Sequence, residues 1–122
     1  DRLPRLDPPP TRRIPILIGG AGERRTLRIV AGHADLWHAF GDEATLAHKS
    51  AVLAEHCRVV GRDPAQIERS TGTSVRGLGV DDPASAERLL AHGFTTFIVA
   101  ISPPDLDDSA VRALLAWRDS NA

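Results

Sequence analysis

Residues 14–40 read IPILIGGAGERRTLRIVAGHADLWHAF. An apolar run, Ile14 to Ile18, stops at Gly19-Gly20-Ala21-Gly22. From Glu23 onward, Leu27, Val30, Ala31 and Ala34 fall at helical spacing, with Arg24, Arg25 and Arg28 on the rest of the surface. Gly32 is placed as the C-cap, and a second apolar run, Asp35 to Phe40, follows. The order is strand, glycine turn, helix, strand, which is a βαβ unit. A glycine turn that opens a helix is a natural seat for an anion. The backbone comes close there, and unpaired N–H groups face outward at the positive end of the helix dipole.

Working outward from this unit, residues 1–13, DRLPRLDPPPTRR, form a proline-rich lead-in with no core of their own. Strand one, Ile14 to Ile18, holds Pro15 at its first ladder position, and its continuous apolar character predicts burial on both faces of a parallel sheet. Downstream, Asp42 caps a helix over 43–60 with Leu46, Ser50, Leu53, Cys57 and Val60 on one stripe, and Gly61 ends it. Arg62-Asp63-Pro64 is a turn, Ala65 to Glu68 a single helical turn, and 69–75 a polar third strand. Asp82-Pro83 starts a helix over 84–92, with Ala86, Leu89 and Leu90 inward and Gly93 as its stop. Residues 95–101, TTFIVAI, give the clearest strand, and Ser102-Pro103-Pro104 breaks it. A last helix over 109–118, capped by Asp107 or Asp108, turns Val111, Leu114, Leu115 and Trp117 inward. Four strands alternate with four helices at roughly 30 residues per unit. That alternation predicts an α/β fold with parallel strands. A (β/α)₈ barrel takes about 250 residues, so 122 make half of one at the same repeat length. The alternative is a compact open sheet.

Net charge of −1 argues against a general nucleic-acid or anionic-membrane binder. No apolar run reaches the roughly 20 residues that span a bilayer, and residues 1–13 have no apolar signal-peptide core. A single cysteine, Cys57, fits a cytoplasmic location. The chain begins at Asp1 and holds no methionine, as expected of a piece of a longer or processed chain.

The stretches Pro15-Ile16-Leu17-Ile18-Gly19-Gly20-Ala21-Gly22, Leu27-Arg28-Ile29-Val30-Ala31 and Ala34-Asp35-Leu36-Trp37 resemble the luciferase-like monooxygenase family, above all its members that use the deazaflavin coenzyme F420. Gly61-Arg62-Asp63-Pro64 and Gly93-Phe94-Thr95-Thr96-Phe97 match in order and spacing. The resemblance covers almost the whole chain but only the second half of the family's TIM-barrel domain. It implies a fold class of α/β, a C-terminal half barrel, (βα)4, over residues 14–122. It implies an oxidoreductase that uses F420, or FMN as the flavin alternative, on a small organic substrate. The loop after the family's fifth strand helps hold the cofactor phosphate, which puts Gly19, Gly20, Ala21 and Gly22 at the cofactor. Trp37, His38 and Phe40 would line the substrate side of the same mouth, since sites of this fold lie at the C-terminal ends of strands. Leu36 departs from the glycine many members carry. The family's first four strands have no counterpart here, so catalytic residues stay unassigned and the segment alone is expected to be inactive. Exposed sheet edges would favour a homodimer or another edge-to-edge association.

Taken alone, Gly19 to Gly22 also suits a plain tight connection. The stretch has neither the G-x-G-x-x-G spacing of dinucleotide sites nor a P-loop lysine. Among the five histidines, His48 and His56 lie eight apart on one helix, too far for an i, i+4 zinc pair, so no metal site is expected. Cys57 reads as a buried thiol, and Asp105, Asp107 and Asp108 as capping residues. Ser70, Thr71, Thr73 and Ser74 would line a polar barrel interior. Against the enzyme reading stands a non-catalytic open-sheet α/β module that binds a ligand or partner.

Overall fold

A computed structural model of the chain describes residues 8–72, 82–101 and 107–121. Four strands alternate with four helices: β1 Leu17–Gly19, α1 Thr26–His33, β2 Leu36–His38, α2 Glu43–Val59, β3 Glu68–Gly72, α3 Pro83–Leu90, β4 Phe94–Ile98 and α4 Ser109–Ser120. A 3₁₀ turn, Pro64–Gln66, precedes β3. The strands form one sheet in the order β1-β2-β3-β4, and every neighbouring pair is parallel. This is the (βα)4 alternation expected from the sequence. Leu17 pairs with Leu36 and Leu36 with Glu68, while Gly19 pairs with His38 and His38 with Ser70.

A parallel crossover is right-handed almost without exception, so a sheet whose order never reverses sends each connecting helix to the same face. The packing agrees: α1 lies against α2, α2 against α3, and α3 against α4. Under this layer sits the core. Leu27, Val30 and Ala31 of α1, Leu46, Leu53 and Cys57 of α2, and Ala86 and Leu89 of α3 are buried with Trp37, Ile67 and Phe94. The rings of Trp37 and Phe94 lie 5.7 Å apart at 47°. A register shift between Arg69 and Ser70 pairs Arg69 with Phe94 but Ser70 with Thr96. Thr95 is the extra residue. This bulge lets Phe94 and Phe97, three residues apart, both pack on the core, which strict alternation forbids.

The opposite face carries no helix layer. Leu17 is 55% exposed and Ile98 51% exposed. The expected two-sided burial of strand one is therefore corrected: Ile14, Ile16 and Leu17 are each more than half exposed, and Ile18 is partly buried against the core. β1 is also shorter than its apolar run. Ile16 lies ahead of it, giving its N–H to the Asp35 carboxylate and taking the Asp35 and Leu36 amides on its carbonyl. Pro15, which has no N–H to give, falls outside the ladder.

Capping follows the sequence in most places. The Asp42 carboxylate accepts from Thr45 N–H. Asp82 and Ser85 form a reciprocal capping box ahead of Pro83. Gly61 and Gly93 take the left-handed conformation that stops α2 and α3 (φ 69° and 84°). Asp107 accepts from Ser109 N–H, while Asp108 pairs with Arg112. Gly32 differs: it sits inside α1, and extended Ala34 ends the helix one residue after His33. Val60 falls past the end of α2 and is exposed, and Leu90 and Leu115 are exposed too, so only part of each expected stripe is core. Leu90 and Leu115 line an open groove of about 500 Å³ between α3, β4 and α4. The expected lead-in residues 1–7, strand residues 73–75, Asp105 and the break at 102–104 lie outside the described residues.

Candidate functional site at the C-terminal ends of β1 and β2

β1 runs into the turn Gly20-Ala21-Gly22, and two glycines there answer to one threonine. Gly20 has φ of 125°, and a Cβ on it would come within 3.2 Å of Thr26 Cγ2. A Cβ on Gly22 would come within 2.9 Å of Thr26 Oγ1. Thr26 opens α1, so the turn is folded back on the first residue of the helix it feeds. Gly19 meets nothing within 4 Å, so the space beside it is open.

The donors of the turn divide into engaged and free. Gly20 N–H bonds the His38 carbonyl at 2.9 Å, and the Gly20 carbonyl accepts from Trp37 Nε1 at 2.7 Å. Gly20 is thus committed to β2 and offers no donor to a ligand, which corrects one of the four expected backbone contacts. The N–H groups of Ala21 and Gly22 have no acceptor among the described residues.

Charge around the turn is held by α2. The Glu23 carboxylate accepts from Lys49 Nζ at 2.5 Å and lies 3.1 Å from His48 Nε2. These bonds, Lys49 first, hold its carboxyl below the usual range. His56 Nε2 donates to the Glu23 carbonyl at 2.7 Å. The one acidic group next to the turn is therefore neutralised, and Arg24 and Arg25 remain exposed beside it. Lys49, His48 and His56 were outside the expected site, because their role depends on α2 passing the turn.

Trp37, His38 and Phe40 were expected to face one mouth. Successive strand residues point to opposite faces, so Trp37 and His38 cannot both do so. Trp37 is fully buried in the helix-side core. It acts on the turn from behind, through its bond to Gly20. His38 lies on the bare face with Gly19, Ser70 and Thr96 in its row. Its Nδ1 is 2.9 Å from Ser70 Oγ, and that hydroxyl is 3.2 Å from the Trp37 carbonyl. Partial burial pushes the His38 imidazole below its ordinary 6.5. Phe40, more than half exposed, meets the His38 ring edge-on at 4.7 Å and 85°.

Ser70, expected in a polar barrel interior, lies on the bare-face side beside His38. Thr71 points to the helix side, buried with its hydroxyl unpartnered, and does not line the bare face. Thr73 and Ser74 lie outside the described residues. Cys57 is buried, and burial pushes its thiol up. Among the described residues, no group of three or more His, Cys, Asp and Glu is placed to hold a metal ion, and no helix is long and apolar enough to cross a membrane. Compared with known proteins, the chain matches no family model and no curated sequence.

Proposed function

We propose that the chain is the C-terminal half-barrel segment of a luciferase-like oxidoreductase domain. In this reading it supplies one wall of the phosphate site for F420, with FMN as the alternative cofactor. The cofactor carries the hydride chemistry, and the protein positions it. The observation that carries the reading is the pair of N–H groups, Ala21 and Gly22, without an acceptor among the described residues just past the C-terminal end of β1. Backbone N–H donors of a glycine-rich loop suit phosphate, and the C-terminal ends of the strands are where barrel enzymes hold ligands. His38 and Phe40 face the same side and would meet a small organic substrate.

The sheet order supports the barrel over the open-sheet module. A doubly wound sheet reverses its order and covers both faces with helices. Here the order runs one way and one face is bare. That face and the free edges of β1 and β4 are where the other half of a barrel would sit, whether from the same longer chain or from a second copy. A reducing, cytoplasmic setting suits the buried Cys57 thiol.

Fluorescence titration of the chain with F420 and with FMN tests the assignment. Weak saturable binding is expected, reduced at least several-fold in Ala21→Pro, which removes one N–H. A matched urea midpoint for the variant confirms that it folds. Equal binding by both proteins would remove the turn from the site. Turnover by the isolated chain with either cofactor would contradict the half-barrel reading itself.

A further inference from the structure

We propose that His38 and Ser70 form an acceptor site for a neutral hydroxyl or N–H donor, carried on an apolar ligand body, on the bare face of the sheet. The inference rests on the reading of this face as the substrate side, and it starts from proton counting. The Trp37 carbonyl can only accept, so the single proton of the Ser70 hydroxyl goes to it across 3.2 Å. Ser70 Oγ can then only accept at its 2.9 Å contact with His38. His38 Nδ1 therefore carries the ring proton, and in the neutral ring Nε2 keeps its lone pair.

Nothing among the described residues bonds that lone pair. Gly19, paired with His38 on the neighbouring strand, has no Cβ and nothing within 4 Å of where one would be. Room is thus left beside the ring at the place where a side chain would close it. Phe40 braces the ring edge-on and fixes its direction. The groups around it also choose the ligand. A bare lone pair repels an anion. Burial pushes the His38 pKa down, and the Glu68 carboxylate, on the same face two residues before Ser70, accepts from Thr96 Oγ1. Leu17 and Phe40, both more than half exposed, supply apolar contact on the same side. A neutral donor on an apolar frame fits; phosphate belongs to the turn at Ala21 and Gly22, not here.

Long-range ¹H–¹⁵N correlation spectra of the 122-residue chain above pH 7.5 read the tautomer directly. The expected result is His38 protonated at Nδ1 and bare at Nε2. In Ser70→Ala the Nδ1–H form should fall from nearly all of the population to a minority. A proton on Nε2 in the unsubstituted chain would overturn the proposal without any variant. Phenol and anisole then test the ligand class, since they share a ring but only phenol donates. Phenol should shift the Nε2 resonance at millimolar concentration, and anisole should leave it in place. Equal responses to the two, or none to either, would overturn the donor assignment. Neither readout depends on the Gly19–Gly22 turn, so failure of cofactor binding there and failure here are separate results.

Discussion

The two faces of this sheet are made from the same strands and meet different fates. On one, Trp37, Phe94 and Ile67 are closed under four helices that touch in sequence order. On the other, Leu17 and Ile98 stand more than half exposed, and His38 offers an unbonded nitrogen. Parallel sheets are normally covered on both sides. The difference says that stability is concentrated on the helix side.

Truncating each face separates these roles. Trp37→Ala should lower stability by about 3–5 kcal/mol, since it empties the centre of the covered face and frees the Gly20 carbonyl. Leu17→Ala on the bare face should stay within about 0.5 kcal/mol. Urea unfolding of both variants checks this, and similar losses would mean that the bare face is closed in solution. Next in size is the turn. Gly20→Ala forces φ of 125° on an L-residue against Thr26 and should lose about 1–2 kcal/mol, whereas Gly19→Ala should be near neutral.

Acid should act on both faces in the same direction and in different windows. His38 has a depressed native pKa, so the unfolded chain takes up that proton first as pH falls through 6.5. Its stabilising share is present above 6.5 and lost below, and His38→Gln should flatten the urea midpoint between pH 7.5 and 5.5. The Asp35, Asp42 and Asp82 carboxyls are depressed by backbone and side-chain hydrogen bonds. Their contribution is complete above the ordinary value of 3.8 and declines as pH falls below it. The smallest expected effect is at Cys57. Its buried thiol should stay inert to Ellman's reagent in the native chain and react at once in denaturant.

Much of the covered face was legible in the sequence. Leu46, Ser50, Leu53 and Cys57 recur at helical spacing, and all four are buried. The caps at Asp42 and Asp82-Pro83 and the stops at Gly61 and Gly93 carry their own backbone chemistry, so residue type was enough. The bare face was harder. An apolar run such as Ile14 to Ile18 looks the same whether one face or two are covered. Phe94 and Phe97 share a face only because of a bulge that no residue type announces. In the site, the glycine turn was visible, but the division of its donors was not, because Gly20 is claimed by partners 17 and 18 residues away. Strand alternation alone was enough to separate Trp37 from His38.

Ala21 and Gly22 carry the unengaged donors of the glycine turn. Amide spectra of the ¹⁵N-labelled chain, titrated with FMN and then with riboflavin, test them most directly, because the two ligands differ only in the phosphate. The Ala21 and Gly22 resonances should move with FMN and stay still with riboflavin, with Gly20 moving little in either case. No movement at Ala21 and Gly22 with FMN, or equal movement with riboflavin, would contradict the placement of a cofactor phosphate on this turn.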